Sequence, residues 1–520
     1  MSGTATIAFA RQRKRMHPTH RSRPHEHAAA RPFASSARWT PVATACVGPA
    51  SPKWIARVAA LVLGAGGFSV LGVADNSLDE LSAGTFTIKR ADKGAYFEPA
   101  AVLSERQRDA FQRGKAGFNR PWVVFSISTG DWGVGPTFIA DRCSGCHTRG
   151  GRGEPPEDPD EELLSTLVRL SVPGTDAHGG PKPHPHYGDQ LQNRSLQGQT
   201  LDLMPAYAPI PAEASIRLDW DETTASLADG TAVPLRRPRV RIANLSFGEL
   251  GADVLTSLRN ASPLIGLGLL EAVPEDALLA IAERQRTLGY NGRPNRVWNA
   301  IDQRVTLGRF GWKANQPTLR QQIAAAAIGD MGVTSSLFPK QNCPDIQADC
   351  RREVPGNDPE LSDAAWDDME TWAMGLAVPA RRQWNDAQVR RGGELFEALE
   401  CSVCHVPTLT TADYFPRLPE ASRQVIHPYT DLLLHDMGPD LADGRPDYEA
   451  GAQDWRTPPL WGLGLSKTVS GSTALLHDGR ARNVAEAILW HGGEAQRSRD
   501  GFRQLGKADR DALAAFVGAL

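Results

Sequence analysis

Two five-residue segments hold the residues best suited to chemistry. Cys143-Ser144-Gly145-Cys146-His147 reads Cys-x-x-Cys-His, and Cys401-Ser402-Val403-Cys404-His405 repeats it. Two thiols at this spacing match the two vinyl groups of one haem, and thioether bonds to both place the next histidine beneath the iron. Redox dithiols and zinc sites also use paired cysteines. A single zinc site built from both pairs, however, would have to join distant parts of the chain and would leave His147 and His405 without a role. The spacing therefore predicts two covalently bound haem c groups, one on Cys143 and Cys146 and one on Cys401 and Cys404, with His147 and His405 as proximal iron ligands. Cys343 and Cys350 lie seven apart. In an oxidising compartment they read most simply as a small structural disulfide, and a catalytic dithiol is the less direct alternative.

The rest of the chain must position these groups. Its 520 residues are 41% hydrophobic and 22% charged, a globular composition with room for two or three domains. A net charge of −3, from 57 basic and 60 acidic residues, offers no cationic field for nucleic acid. Residues 1–74 read separately: an Arg- and His-rich prefix, then the positive flank Lys53-Trp54-Ile55-Ala56-Arg57, then an apolar run from Val58 to Ala74. These are the parts of a secretory signal peptide, with an N-terminal membrane anchor as the alternative. Either places the remainder outside the cytoplasm, in the periplasm.

Helical patterns are expected at Ser104–Gly114, Pro274–Gln285, Pro317–Ile328, Ser362–Gly375, Asp386–Leu399 and Lys507–Leu520. Ile216, Leu218 and Trp220 alternate, Asp229-Gly230 is a turn signal, and Val240 and Ile242 alternate again, which predicts a β-hairpin within residues 213–245. The stretch from Pro155 to Tyr187 is rich in Pro, Gly and His and reads as loop. The expected fold class is mainly α with one β insertion.

Several longer runs resemble the di-haem oxidoreductases labelled thiol-oxidoreductase-like, relatives of bacterial di-haem cytochrome c peroxidases and MauG-type enzymes. These are Gly130-Asp131-Trp132-Gly133-Val134-Gly135-Pro136, Tyr187-Gly188-Asp189-Gln190-Leu191-Gln192, Leu434-His435-Asp436-Met437-Gly438, Trp455-Arg456-Thr457-Pro458-Pro459-Leu460 and Leu476-His477-Asp478-Gly479-Arg480-Ala481, with Glu486 to Glu494 beyond. The resemblance covers about residues 80–520. It implies two cytochrome c-like domains, residues 75–380 enlarged by the hairpin and residues 381–520, with one haem relaying electrons and the other meeting peroxide.

Carried over residue by residue, the resemblance makes His491, fourteen positions after His477, the distal ligand of the second haem. The family's peroxidases have Met there, and a bis-histidine iron has the lower potential. The plainer reading of His491 is a cap on the helix from Val484. Phe310-Gly311-Trp312-Lys313, Leu319-Arg320-Gln321-Gln322 and Asp330-Met331-Gly332 follow the order of the first-domain motifs. This implies Trp312 as a relay between haems, Gln322 on the active-site helix, and Asp330 as the acid/base, an Asp where the family has Glu. Met331 is an alternative iron ligand that would close the site. His178, His184, His186 and Tyr187 are further candidates for the first iron.

Arg149, Arg152 and Arg480 are candidates for pairing with haem propionates, surface arginine being the plainer reading. A calcium ion near Thr457-Pro458 is also implied, although no acidic cluster demands it. The partners implied are an electron-donor protein, such as a small cytochrome or cupredoxin, and hydrogen peroxide or a similar small oxidant. Two rivals remain at this point: an electron-transfer cytochrome with both irons six-coordinate, and a periplasmic thiol oxidoreductase.

Overall fold

The computed structural model describes residues 80–124, 132–197, 209–351 and 358–520. The basic prefix and apolar run to Ala74, with Cys46, Gly130 and Asp131, lie outside the described residues. Among those described, no helix is long and apolar enough to cross a membrane.

The longer helices begin where a side chain can satisfy an orphan N–H. Ser104 opens Glu105–Asn119 in a reciprocal capping box with Gln107. Thr318, Ser362 and Asp386 cap Leu319–Met331, Asp363–Gly375 and Ala387–Ala398 with their side-chain oxygens. Pro274 precedes Glu275–Thr287, whose first turn carries Glu275 and Asp276 where the helix dipole favours them. Lys507–Ala519 closes the chain. Glu105–Asn119 lies along Asp363–Gly375, and Ala387–Ala398 along Lys507–Ala519. Glycine permits both approaches: a Cβ on Gly114 would come within 2.0 Å of the Asp368 carbonyl oxygen, and one on Gly392 within 2.0 Å of that of Ala512.

The hairpin pairs Ser215–Ser226 with Ala232–Ala243 in unbroken antiparallel register. A three-stranded sheet is built on Thr166–Thr175, with Pro181–Lys182 on one edge and Leu255–Asn260 on the other.

A mainly α fold of two cytochrome c-like domains is not what forms. Helix accounts for 31% and strand for 20%, spread over many small sheets. Thr166–Thr175 runs through the stretch read as loop, because Thr166, Val168 and Leu170 bury alternate side chains beside Leu255–Asn260. Most other strands are two or three residues long and exist because a partner distant in sequence meets them, as Thr87–Ile88 meets Val378–Pro379. Such strands have no periodicity to read.

Apolar side chains gather in several cores, two of which flank the first Cys-x-x-Cys-His segment. Cys143 packs against a cluster running from Ala83 to Val469 and against another built from Trp122, Val134, Met331 and Trp366. Cys401 packs against a third cluster, formed by residues 389–520 together with Leu227 and Leu235 from the hairpin.

Candidate functional site

The turn Cys401–Val403 follows the Ala387–Ala398 helix. With Cys404 and His405 it forms one wall of a largely apolar cavity partly open to solvent. His491, Phe396, Leu441, Ile488, Leu513 and Val517 are among the other lining residues. His405 donates its Nδ1 proton to the Tyr429 carbonyl at 3.0 Å, and His491 donates its own to the Ala487 carbonyl at 2.6 Å. Each bond fixes the tautomer and leaves Nε2 as the nitrogen able to bind a metal. Burial lowers both imidazoles, His405 to about 4 with a contribution from nearby His491, so both are neutral at pH 7. His491 is also the cap that the plainer reading expected: its backbone N–H and Nδ1 close the Val484–Trp490 helix, and neither bond uses Nε2.

Two buried arginines line the same cavity. Arg152 Nε and one terminal nitrogen have no hydrogen-bond partner among the described residues, and Arg456 donates to the carbonyls of Gly311 and Thr457. Burial lowers each guanidinium to about 10. Asp431 acts on Arg456, whereas no carboxylate among the described residues pairs with Arg152, and a buried cation without an anion is costly. Two thiols, two neutral imidazoles, apolar walls and the unpaired Arg152 guanidinium fit a haem with its propionates. Arg152 thus belongs with the second cavity, although it follows the first Cys-x-x-Cys-His segment. Arg480 is held by Asp478 at 2.7 Å, and exposed Arg149 donates to the Val469 carbonyl.

His435 and Met437 also line this cavity. His435 Nε2 meets Asp431 at 2.8 Å and its Nδ1 meets Glu494 at 3.0 Å, with Cys404 Sγ 3.6 Å away. Burial would lower His435, but Asp431 and the Cys404 thiol outweigh it and hold the imidazole well above its usual range. His477 stacks on Trp455 at 3.6 Å, and burial depresses it to about 3. Among the described residues, Cys404, Asp431 and His435 are the group of such side chains near enough to share a metal ion. Among the described residues, no further group of this kind lies near Thr457-Pro458, where calcium is implied. The Thr457 carbonyl already accepts from Thr430 Oγ1 and Arg456.

At the first segment, Cys143–Cys146 forms a single helical turn. His147 donates from Nδ1 to the Ser262 carbonyl at 2.8 Å, the same arrangement as His405 and His491. Burial, reinforced by Asp330, pushes the Cys143 and Cys146 thiols up to about 12, which makes them poor thiolate nucleophiles. Asp330 lies in the last turn of the Leu319–Met331 helix, and burial raises its carboxyl above its ordinary value. Gln190 donates to its Oδ1 at 2.9 Å. Gln322 lies half-buried two turns earlier on the same helix, and Met331 packs into an apolar cluster.

The loop candidates are mostly committed elsewhere. His178 stacks on Trp298, Tyr187 donates to the Gly248 carbonyl, and both His184 ring nitrogens are engaged by Leu250 and His186. His186 keeps a buried Nδ1 without a partner. Cys343 and Cys350 form the expected disulfide.

Trp312 connects the two regions. Its ring lines the second cavity, and its indole N–H donates to the Asn260 carbonyl at 2.8 Å. Ser262, two residues on, holds His147. Gln190 and Arg456 were visible in sequence only as members of the longer runs, with no role attached.

Paired Cys-x-x-Cys-His sites of this construction define a two-centre haem protein. The chain belongs to the family described as "di-haem oxidoreductase, putative peroxidase", whose model matches residues 79–520. No curated protein and no solved structure gives a significant match.

Proposed function

We propose that the chain is an exported di-haem oxidoreductase that reduces peroxide, with haem covalently attached at Cys143 and Cys146 and at Cys401 and Cys404. The observation that carries this reading is the run from Trp312, in the lining of the second cavity, through Asn260 to the Ser262 carbonyl that orients His147. Bound haem supplies one-electron storage and, where one face is open, a place to cleave an O–O bond.

The protein's own groups have distinct tasks. With haem bound, His147 and His405 would hold its iron through Nε2. His491 would close the second site, leaving the first for peroxide. Arg152 and Arg456 would neutralise propionates. Hydrogen peroxide takes up two electrons and two protons to give two waters, and Asp330 moves a proton from its near oxygen to the far one. Gln190 aims that carboxylate, and Trp312 spans the gap between the centres. Electrons come from a small cytochrome or cupredoxin in the periplasm, the compartment to which the segment from Lys53 to Ala74 points as an export signal.

An optical and EPR titration of the haem-loaded protein, half-reduced, before and after hydrogen peroxide, tests this reading. A high-spin signal at one centre that peroxide consumes, more slowly in Asp330→Asn, is expected. Two low-spin centres that ignore peroxide in every redox state would overturn it and leave an electron-transfer protein.

A further inference from the structure

Asp443 sits where both ends of the Trp312 contact are held. Its Oδ1 accepts Lys313 Nζ at 2.8 Å and the Arg445 backbone N–H at 3.0 Å. Its Oδ2 accepts Ser257 Oγ at 2.6 Å and an Arg259 N–H at 3.3 Å. Lys313 directly follows Trp312, the indole donor, and Arg259 directly precedes Asn260, the acceptor. One carboxylate therefore grips the residue next to each partner of a single hydrogen bond.

The grip is unusually complete. Lys313 is wholly buried, and its ammonium spends its remaining donors on the carbonyls of Arg445 at 2.7 Å and Gly451 at 2.8 Å. The backbone is fixed too: Arg456 N–H donates to the Trp312 carbonyl at 2.9 Å, and Asn295 donates to that of Lys313 at 2.7 Å. A buried ion cluster is a poor way to gain stability, because desolvation offsets most of the attraction, whereas it specifies geometry well.

We propose that Asp443, through Lys313 and Arg259, is the positioning residue that sets Trp312 against the Asn260 carbonyl and so fixes the coupling between the two haem sites. The proposal rests on the reading that Trp312 bridges those sites.

Lys313→Met and Asp443→Asn, each in the wild-type and Trp312→Phe backgrounds of the haem-loaded protein, test it with two readouts. Ultraviolet resonance Raman difference spectra against Trp312→Phe report the indole N–H bond, and inter-haem electron transfer is timed after rapid partial reduction. Each variant is expected to weaken the indole bond and slow transfer roughly tenfold, but less than about twofold where Trp312 is already Phe. Equal slowing in both backgrounds would overturn the proposal, since that is what general loosening produces. An unchanged indole band and rate, with Trp312→Phe alone slow, would overturn it while leaving the bridge intact. Transfer in Trp312→Phe at the wild-type rate would remove the bridge, and the proposal with it. Where Lys313→Met does not fold, Lys313→Ala with added methylammonium replaces it: recovery of the indole band and rate supports the proposal, and its absence overturns it.

Discussion

Gln190 donates to Asp330 Oδ1 at 2.9 Å and to the Gly329 carbonyl at 2.8 Å, so one amide fixes both the carboxylate and the backbone that carries it. Burial raises Asp330, while Arg169 and Gln190 pull it down. As a base, Asp330 must be ionised, so peroxide reduction should fall as pH drops through a value above that of an ordinary aspartate. Gln190→Leu removes a hydrogen bond to the charged form and should move that acid limb further towards alkaline pH. The pH profile of kcat/KM for peroxide checks this, and a limb that stays put would exclude Asp330 as the titrating base.

His491 is oriented by the last turn of its own helix, through its Nδ1 bond to Ala487. His491→Ala should convert the second centre from low-spin to high-spin and leave the first unchanged. His491→Met should keep it low-spin and raise its potential, since thioether replaces imidazole. EPR with a redox titration separates these outcomes. A second centre still low-spin in His491→Ala would show that another group, such as His477, completes the site.

Arg152 carries charge into the second cavity, and no anion among the described residues pairs with it. Arg152→Met should destabilise the haem-loaded protein by about 3 kcal/mol by stranding a propionate. The same change should raise the melting temperature of a Cys401→Ala/Cys404→Ala chain, where the guanidinium has nothing to neutralise. The opposite signs are the diagnostic result, and calorimetry on both forms reads them.

What the sequence made legible follows from how local each signal is. Both Cys-x-x-Cys-His segments and the helices capped by Ser104, Thr318, Ser362 and Asp386 are written in a few consecutive residues. The hairpin announced itself by alternation and Asp229-Gly230. Thr87–Ile88 and Leu434–Asp436 could not be read this way, because each is a strand only by virtue of its partner. That is why the helical patterns suggested a mainly α chain. The place of Arg152 was hidden for the same reason: its neighbours in sequence belong to the first site, and its neighbours in space line the second cavity. The role of Gln190 needed the Asp330 carboxylate beside it, 140 residues away in sequence.

The base of the hairpin packs on Leu163, Val168 and Leu170, and its far end lies against the Val484–Trp490 helix that His491 caps. Leu227 and Leu235 are buried with Trp490 and Phe502, the Pro234 carbonyl accepts from Arg482, and Asp229 at the tip meets Arg510 at 2.7 Å. Arg482 in turn pairs with Glu486 inside that helix. Leu235→Ala should therefore cost about 3 kcal/mol as a buried cavity. Because the cavity opens beneath Val484–Trp490, the low-spin EPR signal of the second centre should also broaden. Glu222→Gln, at the exposed edge of the same hairpin, should change stability by no more than about 0.5 kcal/mol. Chemical unfolding paired with EPR checks both variants, and a loss of stability in Leu235→Ala with an unaltered signal would show that the strap supports the fold without tuning His491.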